Sequence, residues 1–296
     1  MEWISCTLKS DTGRFTVPYS TGYQTYSGLL SLIGKTDTQL ADEVHDTSFA
    51  SLTNSGLLGS FDWETNREYR KAIDADSEYE LRVGVTHPDD EAVFNALIKA
   101  LVINDSSLEL ADGSLRMTSV ETKTQTHTEV LSDAADSIKD GASGVEIQFE
   151  TPTCCNRYGD VWEAHPDRIN LFQSLADRWN ATTTEEQQIA LEDGALGKDL
   201  FTVADTKQYE THSIVVHRRE PKQADSNTGD GNAATIDGGT HLNEAQGFTG
   251  KWEYRFKGAS EAMKTAVIAL AKFAEFAGVG HHTARGAGTV SATVIS

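Results

Sequence analysis

The order of periodic segments constrains this 296-residue chain more than any single motif. Residues 3–8 alternate as a strand, and residues 26–34 form a short apolar helix. Residues 49–52 and 57–61 read as short strands around a turn at Asn54, Ser55 and Gly56. Tyr79, Leu81, Val83 and Val85 alternate as a further strand. Residues 89–101 place Ala92, Ala96 and Leu97 on one helical face behind an acidic first turn. Residues 108–124 read as a polar hairpin turning at Asp112 and Gly113. Strand, helix, strand, strand, helix, strand is the split βαβ or ferredoxin-like pattern. The second half runs through the same order: a strand at 144–150, a helix at 166–179, strands at 211–217 and 249–257, a helix at 260–276 and a last strand from Val290. Ile169, Phe172, Leu175 and Trp179 stripe one of those helices, and Met263, Val267, Leu270 and Ala274 the other. Only the pattern repeats, not the sequence. The expected fold class is therefore α+β, two ferredoxin-like domains in tandem. Residues 1–129 and 144–296 are the expected domains, with an acidic linker over 130–143. Residues 221–241, polar and glycine-rich, read as a long loop or hairpin tip.

Charge sets the next bound. Asp and Glu number 45 against 25 Lys and Arg, a formal −20. An excess of this sign repels phosphate chains. Its distribution changes the implication, because from Gly247 onward six bases face three acids, so the −20 splits into +3 there and −23 before it. A basic tail on an acidic body suits one anion-binding face. Acid spread this widely suits a high-salt cytoplasm, where screening leaves more of any RNA binding to hydrogen bonds and shape. Cys6, Cys154 and Cys155 make neither a disulfide framework nor a CxxC metal or redox pair. No signal peptide opens the chain and no run of 18 apolar residues occurs in it, so a soluble cytoplasmic protein without membrane contact is expected.

The stretch richest in chemistry lies near the end, where Gly278, Gly280, Gly286 and Gly288 bracket His281, His282 and Arg285. A helix precedes this loop and a strand follows it. Dinucleotide and P-loop sites run the other way, from strand through loop into a helix N-terminus. No nucleotide cofactor is expected here. Gly34-Lys35-Thr36 also fails as a P-loop, since Leu29 stands where its first glycine is required. Adjacent His281 and His282 are poorly disposed as a metal pair, and no metal is expected. Lys251 and Arg255, four apart on one strand, share a face.

With these residues in place, the chain resembles the CRISPR-associated endoribonuclease of the RAMP superfamily, which cuts precursor CRISPR RNA within its repeats. GVGHHTARGAG (278–288) fits that superfamily's glycine-rich motif. GFTGKWEY (247–254) resembles the strand entering the last helix, and VEIQFETPT (145–153) with PDRINLFQSLADRWN (166–180) resembles the start of the second domain. VHDTSFASL (44–52) resembles the segment bearing the catalytic histidine. The resemblance implies tandem RAMP/RRM-type domains and metal-independent transesterification, with repeat RNA and other CRISPR effector subunits as partners. It implies His45 as general acid or base, a role that imidazole suits near neutral pH. Tyr26 on the first helix is the weaker second candidate. It further implies that the glycine loop, with His281, His282 and Arg285, holds RNA, joined by Lys251, Arg255, Arg218 and Arg219. One departure counts against catalysis: the six residues after His45 include no lysine, where many relatives carry one. A non-catalytic RNA-binding subunit is the alternative.

Overall fold

The computed structural model describes residues 1–46, 52–63, 70–87, 90–158, 161–162, 165–204, 209–219, 234–236 and 240–296. The first half runs β1 (Glu2–Ser10), β2 (Phe15–Pro18), α1 (Gly22–Thr36), α2 (Thr38–Asp46), β3 (Leu52–Leu58), β4 (Asp62–Trp63), β5 (Arg70–Ile73), β6 (Tyr79–Val85), α3 (Glu91–Ile98), β7 (Leu108–Glu109) and β8 (Ser114–Thr124). After α4 (His127–Lys139) come β9 (Gly144–Thr153), β10 (Asn156–Tyr158), β11 (Val161–Trp162), α5 (Arg168–Ala181), α6 (Asp193–Asp199), β12 (Leu200–Ala204), β13 (Glu210–Arg219), β14 (Ala234–Ile236), β15 (Thr240–Phe256), α7 (Glu261–Ala277) and β16 (Val290–Ile295).

Both halves solve the same packing problem. The first sheet has strand order β3-β6-β1-β8-β7, with β1 antiparallel to β6 and β8. Along β1, buried Ile4, Cys6 and Leu8 alternate with half-buried Trp3, Ser5 and Thr7, so one face is core and the other open. Helices α1 and α3 cover the core face with Leu29, Leu32, Ile33, Val93 and Leu97. The second sheet has order β12-β15-β9-β16. Its core face carries Val145, Ile147, Phe149, Trp252 and Tyr254 under Phe172, Leu175 and Trp179 of α5 and Val267 and Leu270 of α7. In each sheet the first and third strands of the βαββαβ order lie at the centre, flanked by the fourth and second. The fold is two tandem ferredoxin-like units. A small sheet of β2, β5 and β4 is added to the first.

Three sequence expectations need correction. Residues 52–58 are one strand, not two arms of a turn. Asn54, Ser55 and Gly56 form a bulge, where the register against β6 shifts and Gly56 takes φ +65°. The supposed linker is helix α4. A capping box starts it: Glu129 N–H donates to the Thr126 hydroxyl at 3.2 Å, and the Glu129 carboxylate accepts from Thr126 N–H at 2.7 Å. Val130 and Ala134, fully buried, join the second core, so acidic composition hid an amphipathic face. The strand expected at 249–257 is the C-terminal part of 17-residue β15. The loop expected at 221–241 lies mostly outside the described residues, of which β14 and the start of β15 are exceptions.

Candidate functional site

The glycine loop turns the chain from α7 into β16 over a path that only left-handed residues follow. Gly278, Gly280, Gly286 and Gly288 have φ of +64°, +76°, +87° and +73°. Val279 N–H donates to Gly288 O at 2.8 Å, His281 N–H to Cys154 O at 2.7 Å and Gly288 N–H to Pro152 O at 3.1 Å. These bonds close the loop on itself and pin it to the end of β9. Bare glycines suggest room for an RNA backbone, but protein fills that room. A Cβ at Gly280 would overlap the Cys154 carbonyl, one at Gly288 the Val279 carbonyl, and one at Gly286 the Cα of Gly22. The four glycines are accounted for by packing.

Arg178, on α5, holds the loop from below and is a residue that sequence reasoning missed. Its guanidinium donates to Ala277 O at 2.7 Å, to Gly280 O at 2.5 Å and to the Thr283 hydroxyl at 3.3 Å. One cation thus satisfies the orphan carbonyl at the end of α7 and the turn that follows.

The outer side of the loop is the seam with the first unit. The Asn54 amide donates to Ala284 O, while its carbonyl oxygen accepts from Thr25 Oγ1 and Gly56 N–H, both at 2.7 Å. The Thr53 hydroxyl donates to Phe276 O at 3.1 Å. Arg82 reaches from β6 to Glu150 on β9 at 2.6 Å. At the start of α1, a Cβ on Gly22 would overlap both Arg285 O and Gly286 Cα. Gly22→Ala is therefore expected to cost about 3 kcal/mol of unfolding free energy, the upper part of the overpacking range, because both obstacles are backbone. Gly13→Ala, at φ +85° with open space around the position, should cost only about 1 kcal/mol of left-handed strain. Equal urea midpoints for the two variants would remove the steric account of this seam.

The other predicted residues fall in different places. Tyr26 is buried on α1, where burial raises its pKa and the Arg285 guanidinium pulls it back, so these two candidates are neighbours. His45 lies in the last turn of α2, which packs on α1; its side chain is outside the described residues. Burial, then Arg178, holds His281 below the ordinary imidazole value, and burial with His281 and Arg285 brings His282 down to about 4. Both are neutral near pH 7, hydrogen-bonding groups rather than phosphate cations. Lys251 and Arg255 do share a face, yet Lys251 pairs with Glu146 at 2.8 Å, and Arg255 with Glu253 at 2.8 Å and the Ser143 hydroxyl at 3.0 Å. Arg218 and Arg219 end β13, paired in register with Leu242 and His241, and their side chains are outside the described residues.

Between the two units opens a cleft of about 370 Å³, bordered by Thr21 and Gly22 at the start of α1, Ser55 on β3, Lys71 on β5, Glu150 on β9, and Gly286. Lys71 is the second residue the sequence concealed, since nothing in Arg70-Lys71-Ala72-Ile73 distinguishes it from a surface lysine. Among the described residues, no group of His, Cys, Asp or Glu is placed to hold a metal ion, and no helix is long and apolar enough to cross a membrane.

Comparison with known proteins agrees with this architecture. No curated protein matches the chain. Solved structures do, over nearly the whole length. A Cas6 product complex of Thermus thermophilus aligns with TM-score 0.66 at 18% identity, covering 99% of this chain and 98% of that one. A Cas6 substrate mimic complex aligns at 0.59 and 18%, covering 99% and 98%. A Cas6-related protein from Pyrococcus furiosus aligns at 0.60 and 10%, also covering 99% and 98%. At such identities the likeness is one of fold. The sequence match, to the CRISPR-associated endoribonuclease Cas6, covers residues 147–290. That match spans just under half of the chain, and over its whole length the chain shares the fold of these Cas6 structures.

Proposed function

We propose that this protein is a CRISPR RNA-processing endoribonuclease that cuts precursor RNA within its repeats and retains the product. The observation that carries the reading is the Cas6 family match over residues 147–290. The whole-chain likeness to Cas6 in complexes with product and with a substrate mimic supports it. The reaction is metal-independent transesterification. The 2′-oxygen beside the scissile phosphate attacks phosphorus as its proton leaves to a base. The P–O5′ bond breaks as an acid protonates the departing oxygen, leaving a 2′,3′-cyclic phosphate and a 5′-hydroxyl. His45 performs one of these proton transfers. Tyr26 and Arg285, neighbours where the loop meets α1, stabilise the negative charge that builds on the phosphorane's non-bridging oxygens.

A second reading, a non-catalytic RNA-binding subunit of an effector complex, is favoured by the absence of lysine from the residues after His45. Incubation with the protein's own repeat RNA in EDTA separates the two. Cutting to a cyclic phosphate end supports the enzyme, and tight binding without cutting supports the subunit. The setting we infer is a high-salt cytoplasm, from 45 acids against 25 bases. Screening of that repulsion should raise the melting temperature between about 0.1 M and about 2 M KCl. A midpoint that falls over this range would exclude the setting.

A further inference from the structure

Among the described residues, Lys71 is the least exposed lysine, arginine or carboxylate, at 9%. A buried ammonium is ordinarily matched by a carboxylate. Lys71 instead lies over the Phe61 ring, Nζ 3.6 Å from its centroid, and no charged described group acts on it. Burial alone brings its pKa down to about 8, leaving it mainly protonated near neutral pH. The side chain borders the cleft between the two units.

The rest of the cleft has matching character. Helix α1, 15 residues long, opens onto it at Thr21 and Gly22 with no acidic residue in its first turn. Its leading amides and dipole favour an anion. Ser55 borders the cleft as well, its hydroxyl donating to Gly56 O at 2.6 Å and accepting from Arg82 N–H at 2.9 Å. Glu150 is the only carboxylate among the bordering residues, and Arg82 already holds it at 2.6 Å. A buried ammonium with no charged described neighbour thus borders the same cleft as a helix start with no acidic residue in its first turn.

We propose that this cleft binds one phosphodiester of a nucleic-acid strand, with Lys71 as its cation and the start of α1 as its amide donors. A phosphodiester carries one negative charge and balances one ammonium, whereas free phosphate would leave a charge over. That the strand is RNA rests on the function proposed above; that the cleft takes a phosphate does not. The site also supplies a cation to the seam between the units, which the residues following His45 lack.

The test compares wild type with Lys71→Met, Lys71→Gln and the charge-keeping Lys71→Arg, each checked for a cooperative melt. Binding of 2′-O-methyl repeat RNA, which this chemistry cannot cut, is measured across a KCl series. Loss of Lys71 should weaken binding about tenfold and make the slope of log K against log salt shallower by about 0.7. Arginine should keep the slope. In parallel, thermal shifts in inorganic phosphate are compared with chloride at equal ionic strength, and a wild-type shift absent from the two neutral variants is expected. Unchanged affinity and slope in both neutral variants overturn the proposal while leaving the RNA function standing. A Lys71-dependent phosphate shift in a protein that fails to bind repeat RNA keeps the anion site and removes that function. A Lys71-dependent phosphate shift with an unchanged RNA slope reassigns the cleft to free phosphate and also overturns the proposal.

Discussion

His45→Ala should slow cutting of repeat RNA by about 10²–10⁴-fold, the usual worth of one positioned proton-transfer group, or about 3–5 kcal/mol of barrier. Binding should stay within about threefold, because a residue whose task is proton transfer contributes little to holding a polyanion. His45→Gln, similar in length but without a group that titrates near neutrality, should be as slow as alanine. Added imidazole should partly restore the alanine variant. The separation of rate from binding is the decisive readout. If His45→Ala cuts as fast as wild type, His45 has no part in the reaction. A parallel loss of binding would instead mean that its place at the end of α2 is structural.

Arg178→Ala should remove about 3–5 kcal/mol of stability, a large share of what a domain of this size possesses. Two bonds from a charged donor to carbonyls, at 2.7 and 2.5 Å, contribute about 1.5–3 kcal/mol each. Their loss leaves Ala277 O without its partner at the end of α7 and Gly280 O without its partner in the turn. Desolvation already lowers the pKa of Arg178, yet a guanidinium stays charged at any working pH. Lysine has one head where arginine has a fork, so Arg178→Lys should recover about half of the loss. Urea unfolding measures both. An Arg178→Ala variant within about 1 kcal/mol of wild type would mean that the glycine loop keeps its shape without this support.

The periodic elements were legible because their signal is local. The stripe of Met263, Val267, Leu270 and Ala274 and the alternation of Val145, Ile147 and Phe149 both correspond to buried positions. Helix α4 was legible too, since Thr126 and Glu129 have capping-box spacing ahead of Val130 and Ala134, but acidic composition outweighed that cue. The glycine loop could be found in the sequence but not explained. Its crowding comes from Gly22, more than 250 residues away, and from the carbonyl of Cys154. Lys71 and Arg178 were invisible for the same reason. A lysine buried over an aromatic ring, or an arginine beneath a loop, is defined by neighbours that only the fold assembles. The ion pairs of Lys251 and Arg255 show the converse, since residues that look available in sequence are engaged by Glu146 and Glu253 across and along the sheet.

Helix α4 has a practical consequence for anyone who would divide this chain into fragments. His127 lies edge-on to Trp179 at 4.5 Å, and Val130 and Ala134 are fully buried against the second sheet's helices. A fragment starting at Gly144 would expose that apolar seat to water and invite aggregation, while the discarded helix would dangle from its former partner as a sticky tail. Cutting ahead of Thr126 keeps the plug with its socket. Co-expressed halves divided there should reassociate across Arg82 and Glu150, and a tethered reporter on each would read that reunion directly.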